Sequence, residues 1–157
     1  MQSILMQLTK SSDYSLRILI YLAQRPGVRT TIRQISEAHA ISENHLMKVV
    51  QKLAKRGYVK TTRGKGGGIC LAPSPDKIAV GTVISDVQTL TPVECFKPHY
   101  DAACKLYPAC GLRGALHEAQ SAFFAALNNY TLSDVMGPKH RAVEAVKVST
   151  SRRAAVR

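Results

Sequence analysis

Acidic side chains are scarce in this chain. Asp and Glu number 10 against 22 Lys and Arg in 157 residues, giving a formal charge of +12 and a pI near 9.9. The imbalance excludes an acidic-tail chaperone or a binder of basic peptides. It points to a polyanionic partner, either nucleic acid or an anionic membrane surface. Long apolar runs are missing too. The longest strongly apolar stretch, Ile18 to Ala23, falls far short of the roughly 20 residues a spanning helix needs, so no membrane insertion is expected. Residues 1–7 carry no positive n-region and no cleavage pattern. No secretion signal is therefore expected, and a cytoplasmic location with reduced thiols follows. The chain has no G-x-x-x-x-G-K-S/T phosphate loop, and Gly64-x-Gly66-x-x-Ile69 lacks the third glycine of a dinucleotide fingerprint. It also has no C-x-x-C, which removes the signature of a thiol redox enzyme and of a short zinc knuckle.

What is present is enough for a packed core, since 45% of residues are hydrophobic and 20% charged. The length fits one domain, or a small domain with an appendage. Charge is unevenly placed: residues 1–72 carry net +9, residues 73–136 net −2 and residues 137–157 net +5. The expected organisation is a basic front module over 1–78, a near-neutral middle over 79–136 and a flexible basic tail over 137–157. The tail opens on Gly137-Pro138 and lacks aromatics.

The front module reads as mainly α. Ser11 or Ser12 is placed to cap a helix running to about Gln24 and stopped by Arg25-Pro26-Gly27. Thr30 or Thr31 caps a short amphipathic helix with Ile32, Ile35 and Ala38 on one face. After a turn at His39-Ala40-Ile41, Ser42 begins a third helix with Leu46, Val49, Val50 and Leu53 at helical spacing, ended by Gly57. Its opposite face is polar and basic: Asn44, His45, Lys48, Gln51, Lys52, Lys55 and Arg56. Two short helices joined by a tight turn, the second with a basic face, form the helix-turn-helix pattern. Tyr58 to Thr62 then alternates like a strand, Arg63-Gly-Lys-Gly-Gly-Gly is a flexible basic turn, and Ile69-Cys-Leu is a second short strand. A helix-turn-helix followed by a basic hairpin is a winged helix. Its third helix enters the major groove, where Glu43, Asn44, His45 and Lys48 are the candidate base readers. Arg63 and Lys65 on the wing are candidates for the backbone or minor groove, with Arg33 and Lys52 as phosphate contacts.

Three of the four cysteines fall together as Cys95, Cys104 and Cys110, spaced C-x8-C-x5-C in a loop interrupted by Pro98 and Pro108. Thiolates gathered in a polar loop suit soft metals, chiefly zinc or an iron–sulphur cluster, and the missing knuckle tilts the reading towards iron. A fourth ligand must come from elsewhere; Cys70, His99 and His117 are the nearby candidates. Beyond Cys110, Leu112, Leu116, Ala119, Phe123, Leu127 and Tyr130 recur at spacings of four and three, a seam that suits pairing of two subunits by a long helix.

Met6-Gln-Leu-Thr-Lys-Ser-Ser-Asp-Tyr, Arg63-Gly-Lys-Gly-Gly-Gly, the triple-cysteine loop and Tyr130-Thr-Leu-Ser-Asp together resemble the BadM/Rrf-type winged-helix transcriptional regulators over residues 6–136. The likeness is greatest to the nitric-oxide-sensing repressors of that family, with the iron-responsive branch second. The resemblance implies a homodimer on a double-stranded DNA operator, with a long helix crossing between subunits. It implies an iron–sulphur cluster, [2Fe–2S] or [4Fe–4S], held by Cys95, Cys104 and Cys110. It also implies completion of that cluster by Asp13 from the partner subunit. Some members place a His three residues after the last cysteine; Arg113 stands there instead. Readings left beside this one are an iron- or redox-responsive repressor of the same fold and a zinc-stabilised DNA-binding module.

Overall fold

A computed structural model describes residues 8–89, 91, 93–97, 100, 104–107 and 109–136; the basic tail 137–157 and His99 lie outside the described residues. Helix α1 covers Lys10–Ala23 and is capped by Thr9, whose hydroxyl accepts the Ser12 N–H at 3.3 Å. The cap thus falls two or three residues before the serines expected to provide it. Ser12 and Ser15 are instead fully buried with Ile18 and Leu19 on the inner face of α1. Helix α2 (Ile32–His39) starts on a reciprocal capping box between Thr31 and Gln34, the arrangement that satisfies two orphan amides at once. The turn after it places Ala40 in the left-handed region at φ 52°, and the Ser36 hydroxyl donates to the Ile41 carbonyl at 2.6 Å. Helix α3 (Glu43–Lys55) follows and ends before Gly57 at φ 78°, where a side chain would be strained.

Strands β1 (Val59–Thr62) and β2 (Gly68–Leu71) pair antiparallel, Val59 opposite Leu71 and Thr62 opposite Gly68. The base of this hairpin is not free. Thr30 and Ile69 exchange two backbone hydrogen bonds, 2.9 and 2.8 Å, so the segment between α1 and α2 forms a third rung on β2. Beyond the hairpin, a single 3₁₀ turn (Pro75–Lys77) leads into α4 (Val80–Val87), a second such turn spans Glu94–Phe96, and α5 (Gly111–Asn128) and α6 (Leu132–Val135) are the last elements among the described residues.

One hydrophobic core holds these pieces. Ile18, Leu19, Leu46, Leu53 and Ile35 from the first three helices are fully buried, and Ile78, Val83, Val87 and Leu132 close the same core. Residues on both sides of position 78 therefore share it, because α4 and α6 turn their apolar faces onto α1 and the 3₁₀ turn. Burying one such side chain is worth about 1.5–3 kcal/mol, and the regular spacing of Leu46, Val49, Val50 and Leu53 leaves the other face of α3 to solvent.

Candidate DNA-binding face and cysteine site

The exposed face of α3 follows directly from its buried one. Asn44, Met47, Lys48 and Gln51 recur at three- and four-residue spacing and are all exposed, flanked by Lys52 and Lys55. Met47, 42% exposed, is an apolar side chain in the middle of that polar stripe. It escaped the sequence reading because hydrophobicity alone assigns a methionine to the core; its register with Asn44 and Gln51 was the available signal. Glu43 is exposed in the first turn. His45 is exposed, but its ring turns back: Nδ1 lies 3.1 Å from the Ser42 hydroxyl and the ring centre 6.5 Å from that of Tyr14. Lys52 donates to the Ser11 hydroxyl at 3.3 Å. Arg33 pairs with Glu37 at 3.0 Å on the open surface of α2. Such an exposed pair holds the guanidinium weakly, although it raises the Arg33 pKa through the hydrogen bond and charge of Glu37.

The wing tip presents Arg63 and Lys65, both exposed. Gly64 and Gly66 adopt φ of 93° and 80°. At Gly67 a Cβ would run into the carbonyls of Thr62 and Gly64, so the tight turn requires glycine there. Arg29, which the sequence reading did not single out, donates to the Gly66 carbonyl at 3.2 Å and clasps the tip from the α1–α2 segment.

The cysteines divide into two places. Cys70 sits in β2 with its sulphur 3.9 Å from the Lys60 carbonyl. It lines a cavity of about 390 Å³ with Leu22, Pro26 and Pro73, none of them among the cysteine-loop residues. Cys95, in the 3₁₀ turn, and Cys110, the N-cap residue of α5, both line one concavity of about 730 Å³ together with Lys97, Arg113 and His117. Cys104 is exposed and free. Its backbone N–H donates to the Tyr100 hydroxyl at 2.9 Å. The Tyr100 and Tyr107 rings meet edge-on at 5.6 Å, and the Arg113 guanidinium lies 5.4 Å from the centre of the Tyr107 ring. A chain of aromatic and cation–π contacts thus ties the middle of the loop to the first turn of α5.

The donors suit a thiolate-bound centre. Sulphur ligands are soft, and Cys110 stands at the start of α5 without its side chain making a cap hydrogen bond. Arg113 adds positive charge around the same concavity, and Lys97 is paired there with Glu94 at 2.9 Å. Among the described residues no three His, Cys, Asp or Glu side chains are grouped closely enough to hold a metal ion; the structure brings Cys95 and Cys110 to one concavity, and the exposed Cys104 does not line it. Asp13 lies one turn into α1 and pairs with Arg17 at 2.9 Å, each side chain a little under half exposed.

The α5 seam has no buried residue in the single chain. Leu112 is 64% exposed and Leu116, Phe123 and Leu127 are half-buried. Among the described residues α5 is seated on α4, where Gly81 faces the Phe124 carbonyl and Asn128.

A family model described as "Rrf2: Iron-dependent Transcriptional regulator" matches residues 8–138. The chain belongs to the Rrf2 family. Its relatives in that family include the HTH-type transcriptional regulator NsrR of Bacillus subtilis (strain 168), 44% identical over 91% of this chain and 99% of that one. NsrR of Geobacillus kaustophilus (strain HTA426) is 46% identical over 83% and 90%. Among solved structures, T. potens IscR superposes with a TM-score of 0.65 at 23% identity, over 83% of this chain and 86% of that one, a likeness of fold. The mainly helical architecture with a two-stranded wing is that of the Rrf2 winged-helix regulators, and the chain is a DNA-binding transcriptional regulator. No helix among the described residues is long and apolar enough to cross a membrane.

Proposed function

We propose that this Rrf2 regulator is a cytoplasmic homodimeric repressor whose affinity for a duplex operator is set by an iron–sulphur cluster sensing nitric oxide. Residues 1–78 supply the winged helix and 79–136 the sensor and pairing helix. Cys95, Cys104 and Cys110 hold the cluster, with Asp13 of the partner subunit as its fourth ligand. When bound, such a cluster supplies a centre reactive towards nitric oxide. The observation that carries this reading is the meeting of Cys95 and Cys110 in one concavity at the start of α5, in a chain whose relatives are named NsrR.

The chain's own residues account for the coupling. The cysteine segment leaves α4 and returns as α5, so joining its three thiols shortens a long loop and fixes the first turn of α5. The seam of Leu112, Leu116, Phe123 and Leu127 then buries against its copy, and the two α3 helices take a defined separation, which sets half-site register. Asn44, Met47, Lys48 and Gln51 read base edges; Glu43 and His45 border that stripe. Arg63 and Lys65 follow the backbone or minor groove from the wing, and Arg33 and Lys52 take phosphates. With the thiols released, the register is lost.

The test is anaerobic purification. A brown protein absorbing near ~400 nm, with iron and sulphide in stoichiometric amounts, is expected to bind its operator and to release it on addition of nitric oxide. Colourless protein, or zinc in place of iron, overturns the cluster. The family's description as iron-dependent favours a second reading in which iron supply is the signal; release on chelation with indifference to nitric oxide would select it.

A further inference from the structure

The cysteine segment departs from α4 at Gln88, which is 9% exposed and already extended. Its side chain turns inward to the start of α1. The amide oxygen Oε1 accepts the Thr9 backbone N–H at 2.9 Å and the Thr9 hydroxyl at 2.8 Å, and the Ser12 hydroxyl donates to it as well. Three donors converge on one oxygen, and two of them belong to Thr9, the residue that caps α1. The other end of the same amide, Nε2, is buried with no acceptor among the described residues. The oxygen cannot exchange places with the nitrogen, because the Thr9 N–H must meet an acceptor.

From there the connection reaches α3 by two routes. Ser11, between Thr9 and Ser12, receives Lys52 of α3. Two residues before Gln88, Asp86 accepts the Tyr58 hydroxyl at 2.6 Å and lies 3.8 Å from Arg56, both just past the end of α3. The stretch Asp86–Gln88 therefore touches the start of α1 and the end of the recognition helix where the cysteine segment begins.

We propose that Gln88 is the joint through which the cysteine segment positions the recognition helix, a positioning residue and not a ligand. This rests on the preceding reading that the state of the segment controls DNA affinity. Tension or slack at Thr89 moves Gln88, the α1 cap moves with it, and Lys52 and Arg56 carry the change to α3. The unpaired Nε2 makes this buried contact easier to withdraw than a fully bonded amide, which suits a joint that must let go.

The experiment compares operator affinity of the reconstituted iron–sulphur protein with that of the chelator-stripped protein, for wild type, Gln88→Leu and Gln88→Glu. Iron content and the thermal melt of the stripped proteins are read alongside. Gln88→Leu is expected to load iron as wild type does, yet to bring the ratio of the two affinities down at least tenfold, towards one. Gln88→Glu keeps an acceptor for all three donors, beside the positive end of α1, and is expected to retain the wild-type ratio. A merely structural role would weaken both states together and leave the ratio unchanged. A wild-type ratio well away from one that Gln88→Leu preserves overturns the joint alone. A wild-type ratio of one overturns the parent reading and the joint with it. Should Gln88→Leu fail to fold, Ser12→Ala removes one of the three donors and carries the same expectation at smaller size.

Discussion

Replacing Gly81 by alanine tests the seat of α5 on α4. In an open helix this exchange stabilises by about 1 kcal/mol, since glycine has the poorer helix propensity. Here the new methyl carbon would stand 2.8 Å from the Phe124 carbonyl oxygen and 2.5 Å from Asn128 Oδ1. The Asn128 side chain can swing, but it is engaged by the Thr82 hydroxyl at 3.2 Å, and the Phe124 carbonyl is main chain. Overpacking of this kind costs about 1–3 kcal/mol. The propensity gain is thereby cancelled or turned into a loss of up to about 2 kcal/mol, at roughly 2–4 °C in Tm per kcal/mol for a chain of this size. Gly114 is the control. It lies in α5, and a methyl group added there would meet nothing within 4 Å, so Gly114→Ala is expected to stabilise by about 0.5–1 kcal/mol. Thermal melts of metal-free protein, followed by circular dichroism, read both. Equal stabilisation by the two variants would refute a tight α4–α5 seat, and with it the idea that α4 fixes where Cys110 stands.

Met47→Ala is expected to leave affinity for random DNA unchanged while relaxing the preference at one base pair of each half-site by about 1–3 kcal/mol, as removal of an apolar side chain from a thymine methyl would; binding-site selection checks it, and an unchanged consensus refutes it. Arg63→Ala with Lys65→Ala is expected to lower the slope of log affinity against log salt by about one for each phosphate no longer neutralised, measured by fluorescence anisotropy. Tyr58 has its pKa pushed well above the usual tyrosine range, first by burial and then by the hydrogen bond to Asp86. Its folded value lies above its unfolded one, so the stabilisation is complete below the unfolded value of about 10 and is lost as pH rises beyond it. Denaturant melts of Tyr58→Phe are expected to show about 1 kcal/mol less stability at neutral pH and a gap to wild type that narrows above pH ~10; a constant gap would refute the linkage.

The helices, the tight turn and the wing were legible because each rests on local chemistry: Thr31 and Gln34 in a capping box, Gly57 at positive φ, and leucine and valine at helical spacing. The first cap was misplaced because Thr9, Ser11 and Ser12 are all competent caps. What separates them is tertiary: Ser12 is drawn into the core to meet Gln88, which leaves Thr9 to start the helix. Met47 and Arg29 were missed for a related reason, since one needs helical phase read outward and the other a contact between Arg29 and Gly66 far along the chain. The grouping of Cys95, Cys104 and Cys110 was plain in the spacing. That Cys95 and Cys110 share a concavity while the exposed Cys104 does not line it depends on where α5 seats on α4, which spacing does not encode.

The two hydrogen bonds between Thr30 and Ile69 bear on the entropy of DNA binding. A hairpin of two four-residue strands standing alone is marginal in water, and ordering its whole length against a phosphate backbone would cost about 1–2 kcal/mol for each residue immobilised. With its base already stitched to the segment before α2, and its tip clasped by Arg29, the wing has little disorder left to lose outside Arg63 to Gly67. The ordering cost set against the attraction of Arg63 and Lys65 is then confined to the tip, and a short arm with two cations is sufficient where a looser one would need more.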